Sequence, residues 1–199
     1  MVTSGRDRLV AVVLAAGKGT RMRSNLAKVL HPVLGRPMGL WPTLAAYEIG
    51  CERVVAVVGH QAEEVENTLR TGVGARDLET ALQPNPQGTG QAVGCAEEAT
   101  EGFGRVVILC GDVPAVDAAL IGDLLDRHAA AGATLTVGAF VPPDPTGYGR
   151  IVRDEHGAVC AIVEHRDCTP DQRAITEVNA GLHVAERDAL YGAISRLSP

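Results

Sequence analysis

Short apolar segments alternate with helical segments along the first 141 residues, and this alternation limits the fold more than any other feature of the chain. Strands are predicted at residues 8–16, 53–58, 78–83, 105–110 and 134–141. Helices are predicted at residues 38–49, 62–69, 89–99 and 115–131. The segments RLVAVVLAA and RVVILC are apolar at nearly every position, which is typical of parallel strands covered by helices on both faces. The pattern therefore predicts an α/β fold with a doubly wound, mostly parallel sheet.

The sequence changes character after residue 141. A proline-rich loop at residues 142–147 precedes strands predicted at residues 150–153, 158–165 and 177–185, and a helix is predicted at residues 187–196. Short strands joined by tight turns are typical of an antiparallel arrangement. With 199 residues, of which 46% are hydrophobic, the chain has the size of one domain. We therefore expect a single domain over residues 1–199, with a larger half at about 8–141 and a small antiparallel lobe at about 142–199.

Composition excludes several classes of function. The net charge is −6 and no basic run occurs, which argues against nucleic acid as a partner because phosphate backbones require clustered Lys and Arg. No apolar run approaches the length that spans a membrane. The five cysteines form no CxxC pair, and Cys95, Cys110 and Cys160 lie among small apolar residues, so reduced thiols packed in the core are expected. These features predict a cytoplasmic protein without nucleic-acid or membrane partners.

A glycine-rich turn, AAGKGT, follows the first predicted strand and contains Gly17 and Gly19. Ligands of open α/β sheets bind at the carboxyl ends of strands, and glycines there let backbone amides approach phosphates. Arg21 and Lys28 follow as cations that can neutralise a polyphosphate. The spacing is not that of a P-loop, and Met22 stands where a dinucleotide fingerprint needs a third glycine. A plain tight turn with solvated cations is the alternative.

Two more segments place polar residues next to predicted strands. Asp112 follows the apolar run VVILCG and can ligate Mg²⁺ together with substrate phosphates, or it can cap the helix that follows. Gln83 offers a donor and an acceptor suited to the edge of a base, and Gly88 opens space beside it. A polar loop capped by Thr89 is the alternative for that segment.

The second half contains three residues that are separated in sequence and can converge on one pocket. These are Gly149, Glu164 and Asn179. A glycine amide and two polar side chains suit the hydroxyl and acetamido groups of a sugar, although each residue taken alone is more often found at a turn or surface position. No Ser or Cys stands in the context of a nucleophile elbow, so covalent catalysis is not expected.

Taken together, these segments resemble the uridylyltransferase domain of bacterial N-acetylglucosamine-1-phosphate uridylyltransferases, bifunctional enzymes that also acetylate glucosamine 1-phosphate. The matching stretches are LAAGKGTRM, KVLH, GRP, LQ…GTG, GDVP, PTGYGRIVR, AIVEHRD, DQR and EVNAG, in the family's order. The resemblance implies a Rossmann-like nucleotide-diphospho-sugar transferase fold. It also implies transfer of UMP from UTP to N-acetylglucosamine 1-phosphate, by in-line attack of the sugar phosphate on the α-phosphorus. The products are pyrophosphate and UDP-N-acetylglucosamine (UDP-GlcNAc), a precursor of peptidoglycan and lipopolysaccharide.

The resemblance also assigns roles to individual residues. Arg21 and Lys28 are the catalytic cations that hold the phosphates, Asp112 is the ligand of the Mg²⁺ cofactor, and the sugar-binding residues are Gly149, Glu164 and Asn179. The implied nucleotide-binding residues are Leu14, Ala15, Ala16, Gly17, Lys28, Gln83, Gly88, Thr89 and Gly111.

Departures from the family pattern lead to further expectations. Ala27 stands where Pro is usual, which predicts a looser lysine loop, and Cys110 replaces a Tyr beside the nucleotide. The family's second metal ligand and its acetyltransferase domain lie beyond the last residue given, so we expect a fragment with weak or absent turnover, and a homotrimer only in a longer protein. A nucleotidyltransferase with another base or sugar specificity, or a binding module without catalysis, remains the alternative.

Overall fold

A computed structural model of the chain describes residues 8–19, 22–85 and 87–197. The chain forms two compact units. The first unit contains the residues up to Thr136 and those from His183 onward, and the second contains residues 137–182. The division differs from the one expected at residue 141, because the final strand begins in the second unit and returns the chain to the first.

Strands and helices follow the order expected from the sequence, with several short additions. The strands are β1 (Leu9–Leu14), β2 (Pro32–Val33), β3 (Arg36–Pro37), β4 (Arg53–Val58), β5 (Leu78–Leu82), β6 (Arg105–Cys110), β7 (Leu135–Phe140), β8 (Arg150–Arg153), β9 (Val159–Val163) and β10 (Val178–Glu186). The helices are α1 (Leu40–Glu48), α2 (Ala62–Val73), α3 (Thr89–Gly94), α4 (Ala118–Ala131), α5 (Pro170–Arg173) and α6 (Arg187–Ile194). Short 3-10 helices lie at Lys28–Leu30, Glu98–Thr100 and His165–Asp167.

The first unit is built on parallel strands in the order β5–β4–β1–β6. Val10 and Val12 of β1 pack in a buried cluster with Ala92 and Val93 of α3 and with Tyr191 of α6. The alternate residues of β1 are also fully buried, on the opposite face, where α1 contacts β1 and β4 and packs on α2. Helices therefore cover both faces, which explains why β1 is apolar at consecutive positions.

Local chemistry sets the ends of two helices. Pro42 lies at the third position of α1, in the first turn, where a backbone N–H has no partner within the helix, so the proline costs no hydrogen bond there. The helix predicted from residue 115 begins at Ala118 because the Asp117 side chain accepts the Leu120 N–H at 2.8 Å and caps it. The helix predicted at residues 89–99 ends at Gly94 and continues as turns.

The second unit is antiparallel, as predicted. Strand β8 pairs with β9 on one side and β10 on the other, and β7 pairs with β10. The prediction that Cys160 packs in a core is wrong, because Val159–Val163 is the last strand of this order and Cys160 is exposed. All five cysteines are free thiols.

Candidate active site

The carboxyl ends of β1 and β6 approach each other closely in the first unit. The Gly111 N–H donates to the carbonyl oxygen of Leu14 at 2.9 Å. A Cβ at Gly111 would lie 2.8 Å from that oxygen and 3.1 Å from Cγ1 of Val29, so the position has no room for a side chain. This close approach brings Asp112, the next residue, beside the glycine-rich turn, as ligand sites of open α/β sheets require.

A cavity of about 300 Å³ opens at this edge of the sheet. Most of its wall consists of residues to which the family resemblance assigned the nucleotide or the metal. The four other lining residues are apolar or weakly polar. The lining residues are Leu14, Ala16, Gly17, Lys28, Val29, Val57, Gln83, Gly88, Thr89, Ala92, Cys110 and Asp112. Such a mixture of an apolar floor with a few polar groups is typical of small-molecule sites.

Lys28 and Asp112 form an ion pair at the cavity, between Nζ and Oδ2. Their side chains are 36% and 35% exposed, so both groups remain accessible to a ligand. Gly19, at φ +62°, passes directly behind the lysine, since a Cβ there would lie 2.7 Å from the Lys28 Cβ. The helix-cap alternative for Asp112 is not realised, because Asp117 caps α4.

The loop before Lys28 is anchored by the residue at position 27. Ala27 is fully buried, and its backbone N–H donates to Oε1 of Gln61. A proline at this position could not make that bond because it has no N–H. Gln61 has left-handed backbone angles (φ 51°, ψ 43°) and its Nε2 donates to Glu64 at 2.9 Å. The bond holds the loop in this structure, while a loop looser than one with proline stays a prediction. The sequence contained no signal that Gln61 would supply the acceptor.

Gln83 is held in place at the end of β5. Its side chain is buried, with the residue 5% exposed, and Nε2 donates to Oε1 of Gln91 at 2.6 Å and to the Gly88 carbonyl at 3.5 Å. Gly88 has φ +121°, a conformation that a residue with a side chain rarely adopts. Thr89 is the first residue of α3 and makes no capping hydrogen bond, so the capped-loop alternative is not realised. These contacts hold a carboxamide at the cavity wall, where it can bind the edge of a base.

Two of the predicted nucleotide-binding residues, Ala15 and Gly111, do not line the cavity. Ala15 is 1% exposed and its N–H donates to the Val57 carbonyl at 2.8 Å, so it supports the wall from behind. Gly111 is buried, and its N–H donates to the carbonyl oxygen of Leu14. Arg21 lies outside the described residues.

The thiol of Cys110 at the cavity is not a reactive one. Burial, together with the negative charge of Asp112, raises the pKa of the Cys110 thiol to about 11, so the thiol stays protonated at neutral pH. Among the residues that the structure describes, no group of three or more His, Cys, Asp and Glu side chains gathers to hold a metal. A single carboxylate that opens onto a cavity is compatible with Mg²⁺, which binds through one or two carboxylates plus substrate phosphates.

In the second unit the structure brings together the three residues predicted to bind a sugar. A Cβ at Gly149 would lie 3.5 Å from Oε1 of Glu164 and 3.8 Å from Cβ of Asn179. The Asn179 N–H donates to the Gly149 carbonyl at 2.8 Å. The Glu164 carbonyl accepts the Asp167 N–H at 2.9 Å, which fixes the chain after Glu164. A glycine, a carboxylate and a carboxamide therefore lie side by side.

Comparison with known proteins places these features in a family. The sequence profile of the nucleotidyl transferase family matches residues 10–199. The chain belongs to this family. Its fold also matches a solved structure of a Bacillus anthracis protein assigned as a glucose-1-phosphate thymidylyltransferase, with a TM-score of 0.76 over 96% of this chain and 76% of that one. At 18% identity this likeness concerns the fold, and it confirms the predicted α/β class with a mostly parallel sheet.

Relatives within the nucleotidyl transferase family are more similar in sequence. The bifunctional protein GlmU of Geobacter sulfurreducens is 47% identical over 192 residues, covering 96% of this chain and 40% of that protein. GlmU of Trichlorobacter lovleyi is 48% identical over 188 residues, covering 94% of this chain and 40% of the relative. The chain thus spans about two fifths of the length of these relatives. The resemblance to a bifunctional bacterial enzyme that the motifs predicted is confirmed. No helix in the described part of the chain is both long and apolar enough to cross a membrane.

Proposed function

We propose that this nucleotidyltransferase domain transfers UMP from UTP to N-acetylglucosamine 1-phosphate in the cytoplasm, giving UDP-GlcNAc and pyrophosphate. The observation that carries the proposal is the cavity of the first unit, which gathers a glycine turn, a Lys–Asp pair and a held carboxamide. These are the groups needed for a polyphosphate, a divalent cation and a base. The specific motifs shared with the bifunctional enzymes favour uridine over other bases.

The nucleotide is assigned to the residues that line this cavity. The carboxamide of Gln83 and the backbone at Gly88 would pair with the uracil edge, which carries both donors and acceptors. Leu14, Ala16 and Gly17 would lie along the nucleoside, at the end of β1. Lys28 would bind the phosphates through its mobile ammonium group.

The acceptor is assigned to the second unit. The Gly149 amide and the Glu164 and Asn179 side chains would bind the hydroxyl and acetamido groups of N-acetylglucosamine 1-phosphate. Arg21 stays a prediction as the second phosphate-binding cation.

Asp112 would hold a Mg²⁺ ion, which when bound neutralises phosphate charge and orients the α-phosphate. The chain itself contributes positioning and electrostatic stabilisation. An oxygen of the sugar phosphate forms a bond to the α-phosphorus of UTP, and the bond from that phosphorus to the bridging oxygen of pyrophosphate breaks. Lys28 stabilises the negative charge that collects on the departing pyrophosphate, so no protein nucleophile is needed.

The test is release of pyrophosphate by the purified 199-residue chain with UTP, N-acetylglucosamine 1-phosphate and Mg²⁺, at high enzyme concentration because weak turnover is expected. We compare wild type with Asp112→Asn and with Asp123→Asn as a matched control, since Asp123 lies on the surface of α4 and pairs with Arg127. Release should require both substrates, fall by about a hundredfold or more in Asp112→Asn, and stay unchanged in Asp123→Asn.

Two results would count against the proposal. Release that needs no sugar phosphate would contradict the acceptor assignment. Nucleotide-sugar binding without turnover in any preparation, and equal in Asp112→Asn, would favour a binding module without catalysis.

A further inference from the structure

Arg150 is a buried charged residue in the second unit that the sequence analysis did not single out. It is 1% exposed, and among the described residues no carboxylate forms an ion pair with it. Asp144 is near enough that the charge of Arg150, after the hydrogen bonds from Thr146 and the charge of His165, helps to lower the pKa of its exposed carboxyl. Burial of a guanidinium group with no carboxylate at ion-pair distance is nevertheless costly unless its donors are used in hydrogen bonds. The contacts that Arg150 does make should therefore indicate why the residue is there.

Its guanidinium bridges the neighbours of two predicted acceptor residues. Nη1 donates to the carbonyl oxygen of Tyr148 at 2.5 Å, and Nη2 lies 3.2 Å from Nδ1 of His165. Because a guanidinium only donates, Nδ1 of His165 is the acceptor in this bond. Tyr148 immediately precedes Gly149, and His165 immediately follows Glu164.

The backbone of Arg150 is as central as its side chain. The residue pairs with Val163 of β9 and with Val178 of β10, so it lies between the strand that leads to Glu164 and the strand that carries Asn179. Nε of Arg150 is buried and has no hydrogen-bond partner among the residues that the structure describes, so within them the side chain is held by its two terminal nitrogens. Only a planar fork with two separate terminal donors can bind both neighbours at once, and a lysine ammonium on a flexible stem cannot reproduce it.

We propose that Arg150 is a positioning residue for the sugar-phosphate acceptor, which sets the separation between the Gly149 amide and the Glu164 carboxylate. The inference rests on the proposed function, since it assigns Gly149 and Glu164 to that acceptor. Arg150 is buried and acts through the loop ahead of Gly149 and the segment after Glu164. Its loss should therefore weaken binding of the sugar phosphate much more than binding of UTP.

The experiment compares Arg150→Met with Arg153→Met in the 199-residue chain. Arg153 lies on the same strand but is exposed and pairs with Glu177, so it controls for loss of an arginine from β8. The readouts are the apparent affinities for N-acetylglucosamine 1-phosphate and for UTP, measured separately. Arg150→Met should weaken the affinity for the sugar phosphate by about tenfold or more and the affinity for UTP by less than about twofold. Both affinities of Arg153→Met should stay close to those of the wild type.

A second pair of variants keeps the test independent of whether Arg150→Met folds. His165→Asn retains an acceptor oxygen near the position of Nδ1, whereas His165→Ala removes it. Affinity for the sugar phosphate should be near wild type in His165→Asn and clearly weaker in His165→Ala. Hydrogen exchange at residues 146–149 and 164–168 should rise in His165→Ala alone, which reports the positioning directly.

The outcomes separate this inference from the function on which it rests. Equal loss of both substrates in Arg150→Met, or equal sugar-phosphate affinity in the two His165 variants, would overturn the positioning role while leaving the proposed function intact. Wild-type chain that binds UTP but no sugar phosphate would refute the proposed acceptor, and the role of Arg150 with it.

Discussion

Gly111 offers the sharpest test of how the two strand ends build the cavity. Its added Cβ would lie 2.8 Å from a backbone carbonyl oxygen, that of Leu14, where ordinary van der Waals contact begins at 3.4 Å. A carbonyl that also accepts a hydrogen bond cannot move as a flexible side chain can. Gly111→Ala should therefore force β1 and β6 apart at the point where the nucleotide is expected to bind.

The size of the effect follows from two opposing contributions. Overpacking of a tight site destabilises the folded state by about 1–3 kcal/mol. Replacing a glycine by alanine also lowers the conformational entropy of the unfolded chain, which stabilises the folded state by about 0.4–1 kcal/mol. The net free energy of unfolding should fall by about 1–2 kcal/mol, which lowers the melting midpoint of a chain this long by about 2–8 °C. UTP affinity should fall as well, because Leu14 and Asp112 flank the strained position.

A matched control makes the same chemical change where the structure leaves room. Gly122 lies inside α4, and a Cβ there would meet nothing within 4 Å. Gly122→Ala should stabilise the chain by about 0.5–1 kcal/mol and leave UTP binding unchanged. Thermal and urea denaturation, with calorimetric titration of UTP, measure both variants. Gly111→Ala with wild-type stability and UTP affinity would refute the close approach of β1 and β6.

Three further predictions concern single side chains. Gln61→Ala removes the acceptor that anchors the amide before Lys28 and should weaken the affinity for UTP by up to about tenfold. Glu64→Gln leaves the Gln61 acceptor in place and keeps an oxygen for Gln61 Nε2, so it should not; equal UTP affinities of the two variants in a titration would contradict this. Burial and the nearby carboxylate raise the pKa of Cys110 to about 11. Iodoacetamide at about pH 8 should therefore label the exposed Cys160 before Cys110. Mass spectrometry that finds the reverse order of labelling would refute this prediction. Burial lowers the pKa of His183, so below about pH 6.5 the unfolded chain binds more protons than the folded chain. The free energy of unfolding should therefore fall as the pH is lowered from about 7.5 to about 5, and it should fall less steeply in His183→Gln. Equal slopes of the two proteins in urea denaturation would contradict this.

Most of the fold could be predicted because its signals are local. Strands β1, β4 and β6 are apolar at consecutive positions, and the predicted bounds of the parallel strands of the first unit lie within two residues of those observed. The candidate cavity was also predictable, since carboxyl ends of neighbouring parallel strands meet at one edge and Gly17, Gln83 and Asp112 each follow a strand.

The features that could not be predicted depend on contacts between distant parts of the chain. The Lys28–Asp112 pair joins residues 84 positions apart, and no local pattern identifies such partners. Gln61 supplies an acceptor only because of a left-handed backbone at the start of α2. Arg150 looks like an ordinary charged strand residue until its burial is known. Cys160 was expected in a core because its neighbours are small and apolar, yet it is exposed because β9 ends the order of the antiparallel strands.

The central claim is that the chain recognises a uridine nucleotide joined to N-acetylglucosamine. Calorimetric titration of the purified chain with UDP-GlcNAc in the presence of Mg²⁺, beside CDP- and GDP-sugars and UDP-glucose, tests it most directly. We expect saturable binding at one site for UDP-GlcNAc, weaker binding of UDP-glucose, and little or no binding of the cytidine and guanosine sugars. Equal or tighter binding of a cytidine or guanosine sugar would contradict the uridine assignment, and no preference over UDP-glucose would contradict the sugar assignment.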